Sequence, residues 1–262
     1  MRNLRIKRAA GVLLSLALML SLAACGQERE IVVPDLPAET AQPGHIYLYG
    51  ETHGVPAILD KELELWQDYY AQGMRHLFVE LPWYTADFLN QWMTAEDDAI
   101  LDAVYDDWNG TLSHNPDIKS FYQAIKETCP ETVFHGIDVG HQSDTTGARY
   151  LDTLRDAGEA DSAAYRAAEA CISQGETYYG NMGPEGEAYR ENTMYENFCA
   201  AYDSLDGASV MAICGSMHTD PDAVEPDSGV PTMAAQLAAA YGDKLHAAAL
   251  DGSGEDGAAS GG

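Results

Sequence analysis

His45-Ile46-Tyr47-Leu48-Tyr49-Gly50-Glu51-Thr52-His53-Gly54 is an apolar run that empties directly into a glycine turn carrying an acid and an imidazole. The run is short, rich in β-branched and aromatic residues and bounded by glycine, which reads as a strand. The segment after Gly54 has a different period. Ile58, Leu59, Leu63, Leu65, Trp66, Tyr69 and Tyr70 recur at three- and four-residue steps, predicting a helix over residues 56–72 that Gly73 closes. A strand, a glycine turn and an amphipathic helix make the repeating unit of an α/β protein.

The same unit recurs outward from this stretch. His76-Leu77-Phe78-Val79 reads as a second strand, with one or two helices over residues 84–107 and another over 117–128. Thr132 to Ile137 reads as a third strand, and residues 145–174 and 186–204 as Ala- and Tyr-rich helices. Ser209 to Cys214 is a fourth strand, residues 231–241 a last helix, and Leu245 to Leu250 a final strand. Strands alternating with helices imply an α/β fold, a mostly parallel β-sheet flanked by helices on both faces. No internal repeat or Pro/Gly linker divides the region, so one domain over residues 44–250 is expected.

The termini read differently. Arg2, Arg5, Lys7 and Arg8 precede a short apolar run, Ala9 to Ala24, that ends in Leu22-Ala23-Ala24-Cys25-Gly26. A basic start, an apolar middle and small residues before a cut make a signal peptide over residues 1–24. The run falls short of the roughly 20 apolar residues of a membrane span. Cys25 directly after two alanines resembles a bacterial lipobox, which implies lipidation of Cys25 and a palmitate-type anchor. The expected location is then the cell envelope, lipid-anchored to the membrane and outside the cytoplasm. Residues 25–43 would be the tether, and residues 251–262, all Gly, Ser, Ala and acid, a disordered tail.

The chain carries a formal net charge of -28, and removing the four basic residues of the leader brings the remainder to about -32. Such a surface argues against nucleic acid as a partner, because binding it requires basic residues on the phosphates. Four cysteines remain after Cys25, namely Cys129, Cys171, Cys199 and Cys214, without a C-x-x-C spacing. No zinc cage or disulfide is expected from them, and Cys214, inside an apolar strand, reads as a buried free thiol.

Chemistry gathers where the strands end. Strand one leads into Glu51 and His53, strand two into Glu80, strand three into Asp138 with His141 just beyond, and strand four into Gly215-Ser216-Met217-His218. In a parallel sheet the carboxyl ends share one edge, where ligands bind. Glu51, His53, Glu80, Asp138 and His218 should therefore converge. Glycine is expected before each histidine because it tolerates the backbone angles of a sharp turn. Carboxylates at that edge can orient imidazoles, act as general bases or bind a metal. Arg190, at the head of an amphipathic helix with Thr193 and Asn197 on its polar face, is a candidate contact for an anion or oxyanion. His45, His76, His135 and His246 lie within strands and read as packed or edge residues, whereas His114 carries no clear signal.

Taken together, Gly50-Glu51-Thr52-His53, Glu80, Gly136-Ile137-Asp138, the helix Arg190-Glu191…Met194…Asn197 and Gly215-Ser216-Met217-His218 resemble the erythromycin esterase / ChaN-like / Tiki superfamily. The likeness spans residues 44–250. It implies a hydrolase of ester or peptide bonds, with His53 as general base or metal ligand, Glu51 and Glu80 orienting it or binding the metal, His218 as a second imidazole and Arg190 as an oxyanion contact. The branches imply different cofactors. Esterase-like members work without metal, whereas Tiki-like members imply a divalent metal on Glu51, His53, Glu80 and His218, with zinc, manganese and cobalt equally suited. ChaN-like members are lipoproteins linked to haem or iron, so a non-catalytic haem-binding lipoprotein is the alternative, and Tyr178, Tyr179, Tyr189 and Tyr195 are its candidate contacts. The partner is a small-molecule or peptide substrate, besides the membrane reached through the anchor. The chain departs from the esterases in having G-E-T-H and in lacking long helical insertions, which argues against macrolide cleavage.

Overall fold

Strands buried on both faces and helices buried along one face alternate in the computed structural model, which describes residues 33–251. The signal segment, Cys25, the first part of the tether and residues 252–262 of the tail lie outside the described residues. Five strands form one sheet: β1 (Ile46–Glu51), β2 (His76–Pro82), β3 (Val133–Asp138), β4 (Val210–Gly215) and β5 (Leu245–Ala249). Their order is β3-β2-β4-β1-β5, and every pairing is parallel. Strands one and four, far apart in sequence, are therefore neighbours, with Glu51 opposite Gly215.

Eight α-helices connect them: α1 (Pro56–Ala71), α2 (Trp83–Met93), α3 (Ala99–Asp107), α4 (Pro116–Thr128), α5 (Ala148–Asp156), α6 (Ala163–Gly180), α7 (Pro184–Asp203) and α8 (Met233–Tyr241). Both sheet faces are covered, as a parallel sheet requires. On one face Ile46, Leu48, Phe78, Ile137, Val210 and Ala212 pack against Met194 and Phe198 of α7 and Met233 and Leu237 of α8. On the other, Tyr47 lies against Tyr69 of α1 with ring centroids 4.8 Å apart, and Phe134 meets Tyr122 of α4. Burying Phe or Leu side chains contributes about 1.5–3 kcal/mol each, so these two layers hold the sheet edge in place.

Two sequence expectations shift, and a third narrows to one of its two alternatives. Residues 145–174 do not form one helix. A π-turn (Ser143–Gly147) precedes α5, and Gly158, in a left-handed conformation with φ +76°, ends the segment before Ser162 caps α6 by accepting the Tyr165 N–H at 3.0 Å. The 84–107 region is two helices, broken between Met93 and Ala99. On α1 the buried positions are Ile58, Leu59, Lys61, Glu62, Leu65, Trp66 and Tyr69, so Glu62 occupies a core position where Leu63 was expected. Cys129, Cys171, Cys199 and Cys214 are free thiols, and Cys214 is fully buried in β4. His45 bonds His246 at 2.9 Å, and His76 bonds His135 at 3.0 Å, so the strand histidines pair with one another away from the carboxyl edge. Glu39, Ala41 and Gln42 of the tether bond to Tyr69, Gln72 and Tyr47. No described helix is long and apolar enough to cross a membrane.

Candidate active site

The carboxyl ends of β1, β2, β3 and β4 meet over a pocket of about 320 Å³ lined by Glu51, His53, Glu62, Glu80, Asp138, His141 and Arg190 among others. Glu51, the last residue of β1, holds His53 through a short contact from its Oε1 to the imidazole Nδ1. The ring's other nitrogen, Nε2, faces the pocket 3.9 Å from Glu80 Oε1. Across the sheet, Glu80 accepts the Gly215 backbone N–H at 2.6 Å and an Arg190 N–H at 2.6 Å.

Arg190 is the centre of the network. Its Nε and Nη2 donate to the two Asp138 oxygens at 2.9 and 2.6 Å, Nη2 also reaches Glu80, and Nη1 lies 3.2 Å from His218 Nε2. A guanidinium has five N–H groups, these contacts occupy four, and Arg190 lines the pocket. His218 Nδ1 contacts Glu191 at 2.5 Å, and the other Glu191 oxygen accepts the Met233 N–H at the start of α8. His218 is buried and does not line the pocket, so it braces Arg190 from behind. His141 does line it, bonded to Asp138 at 2.8 Å and to the Tyr179 hydroxyl at 2.5 Å.

Charges are arranged by these partners. The Glu51 hydrogen bond and then the Glu80 charge, opposed by partial burial, raise His53 from its ordinary 6.5 to about 9. Burial alone would push the Asp138 and Glu80 carboxyls up. Arg190 and His141 overcome it and hold Asp138 well below the carboxylate range, while His218 and Arg190 hold Glu80 below its ordinary value. His218 is pulled down by burial but raised overall by Glu80 and Glu191. Its charged form points Nε2–H toward Glu80 Oε1 at 3.6 Å, and its neutral form accepts from Arg190.

The glycines at this edge act through space rather than through backbone angle. Neither Gly50 nor Gly215 has a positive φ. A Cβ on Gly50 would come within 2.2 Å of Thr219 Oγ1, and one on Gly215 within 3.3 Å of both Glu80 Oε2 and His53 Nε2. The expectation that these turns need glycine for its dihedrals is thus corrected: the residue is small so that β1, β4 and the Glu80 carboxylate can crowd together.

Every expected site residue (Glu51, His53, Glu80, Arg190 and His218) joins the network. Asp138 and His141 belong to it more fully than strand-end position alone implied. Glu191 lay within the recognised helix motif without an assigned role. Glu62 was missed altogether, and its only signal was a carboxylate at a core position of α1.

The proposed metal ligands Glu51, His53, Glu80 and His218 do not fit a metal as arranged. Both Glu80 oxygens are taken, and the Arg190 guanidinium already sits as the cation between Glu80 and Asp138. No group of three or more His, Cys, Asp or Glu converges as a metal cage among the described residues. Of the tyrosines considered for haem, Tyr178 and Tyr179 meet beside His141 with ring centroids 5.0 Å apart, Tyr178 donating to Glu187, whereas Tyr195 packs against the core.

A single parallel sheet carrying a Glu/His/Arg network on its carboxyl edge defines the architectural class. Within that class the chain shares the fold of erythromycin esterase and its structural neighbours, as the sequence motifs implied. It superposes on a protein from Bacillus cereus with a TM-score of 0.55 at 13% identity, covering 78% of this chain and 65% of that one. A succinoglycan biosynthesis protein gives 0.56 at 13% identity, covering 78% and 64%. A mutant of the erythromycin esterase EreC in its open conformation gives 0.54 at 12% identity, covering 79% and 69%. The chain thus spans slightly under two thirds of the first two structures, and the likeness is one of fold alone. No family model and no curated protein matches the sequence.

Proposed function

We propose that this protein is a hydrolase of ester bonds in which His53 activates water without a metal. The observation that carries the reading is the Glu51–His53 pair, with Nδ1 tied to the carboxylate and Nε2 3.9 Å from Glu80 in a pocket that Arg190 also lines. An imidazole fixed at one nitrogen presents the other as base in a single tautomer. The step is balanced within the site. A water proton passes to His53 Nε2 as the water oxygen bonds the carbonyl carbon, and the same proton passes to the departing alkoxide as the C–O bond breaks. The free Arg190 N–H stabilises the negative oxygen between these events. The esterase among the structures of the same fold supports the ester class over the peptide class.

Hydrolysis of 4-nitrophenyl esters by the purified protein, beside His53→Ala, tests this. A fall of about 10²–10⁴ in kcat/KM for the variant is expected. Unchanged turnover in His53→Ala, or no turnover of any ester by the wild type, would overturn it. Metal analysis of the same preparation checks the metal-free mechanism. Stoichiometric zinc, manganese or cobalt that is lost in His53→Ala would replace it with a metal-assisted one.

A further inference from the structure

One acid in the pocket has no counter-charge. Of the four lining carboxylates, Glu80 and Asp138 are matched by Arg190, and Glu51 Oε1 by His53. Glu62 has nothing. It is only 1% exposed, its Oε1 is buried without a hydrogen-bond partner, and Lys61 beside it turns to Glu64 instead. The second Glu51 oxygen is orphaned in the same way. Burial and the Glu51 charge together raise the Glu62 carboxyl well above its ordinary range.

Two unpaired acceptors at one pocket wall are a cost the fold accepts without structural return, since a buried carboxylate lacking a donor is destabilising. The remaining wall there is aromatic. Trp108, Phe121 and Tyr122 line the same pocket, with the Trp108 and Tyr122 rings 6.1 Å apart. Acceptors without donors, beside aromatic faces, match an ammonium group, which supplies N–H donors and a charge that ring faces attract.

We propose that Glu51 and Glu62 form a subsite for a primary ammonium group, so that the preferred substrates are amine-bearing esters. The proposal rests on reading this pocket as the substrate site. A primary rather than a quaternary amine is specified because the orphaned oxygens need hydrogens, not merely charge.

Binding and turnover are measured separately on the full chain. n-Pentylammonium and n-pentanol are titrated by calorimetry into the wild type, Glu62→Gln and Glu62→Leu. At least about tenfold tighter binding of the ammonium is expected in the wild type, and the preference should vanish in both variants. Both variants should melt no lower than the wild type, because each removes an unpaired buried acid. Turnover of 4-nitrophenyl 6-aminohexanoate over 4-nitrophenyl heptanoate should show the same preference, falling to a ratio of about one in Glu62→Gln. Equal binding of the two probes, a preference that survives in Glu62→Gln, or a fall in melting temperature in both variants would overturn the subsite. Ammonium binding with neither ester hydrolysed would retain the subsite and overturn the esterase reading. Hydrolysis of both esters without preference would do the reverse.

Discussion

At the scale of single residues, His53 sets the pH behaviour. Its proton is held by Glu51, so at neutral pH the free protein carries mostly imidazolium, and the base form accumulates only toward the raised value of about 9. For a base of this kind kcat/KM should climb about tenfold per pH unit before levelling near pH 9. Glu51→Gln removes the largest cause of the upward shift, so the rising limb should move to lower pH while the plateau falls. A flat wild-type profile from pH 7 to 9 would sink His53 as the base. The same shift is a statement about stability. A raised histidine stabilises the fold fully below its unfolded value near 6.5, and the contribution is lost as pH rises through about 9. Arg190 has a different role. Asp138 is 1% exposed and carries two of the guanidinium bonds. Arg190→Met should therefore cost about 3–5 kcal/mol in urea denaturation by removing the guanidinium that compensates the buried Asp138 and Glu80 carboxylates. Arg190→Lys should lose activity too, because a point ammonium cannot reproduce the fork.

At the scale of elements, the loop after β3 is held by contact between backbones. A Cβ on Gly175 of α6 would sit 2.0 Å from the Gly140 carbonyl oxygen, and one on Gly140 would sit 2.3 Å from the Cys171 carbonyl oxygen. That approach fixes the segment carrying His141 over the pocket. Gly175→Ala must push α6 away, at a cost of about 1–3 kcal/mol. Gly180, at the end of the same helix, has nothing near its Cβ position. Gly180→Ala should instead stabilise by about 0.5 kcal/mol through helix propensity. Denaturation curves of the two variants separate the effects. A matching gain in both would show that the α6–loop contact is not what positions the segment. Helices α5 and α6 also show what a single helical reading of residues 145–174 misses: the reversal at Gly158 and the cap at Ser162 divide the segment.

At the scale of the whole molecule, the lipid anchor expected on Cys25 would place the pocket at a membrane. Cys25→Ser should move the protein from the membrane to the soluble fraction and abolish incorporation of labelled palmitate. Retention of the label in the variant would place the anchor elsewhere. The parallel order of the sheet was legible from the sequence alone, because a strand ending in glycine and then a helix recurs along the chain and only a covered parallel sheet satisfies that alternation. The motif residues could be assigned to one edge on the same ground, since all parallel strands end on the same side. Local pattern thus determined the fold class and assigned Glu51, His53, Glu80, Arg190 and His218 to one edge, though not Glu62. Only the tertiary structure decided their roles. It inserted β4 between β1 and β2, which brings Gly215 against the Glu80 carboxylate. It put the Arg190 guanidinium at the centre where a metal was expected, and it set His218 behind that guanidinium rather than on the pocket wall. It also turned Glu62 from a helix-face residue into an unpaired acid lining the pocket. The reason is physical: periodicity records which side of an element faces inward, whereas pairing, burial and charge compensation depend on neighbours that sequence distance does not encode.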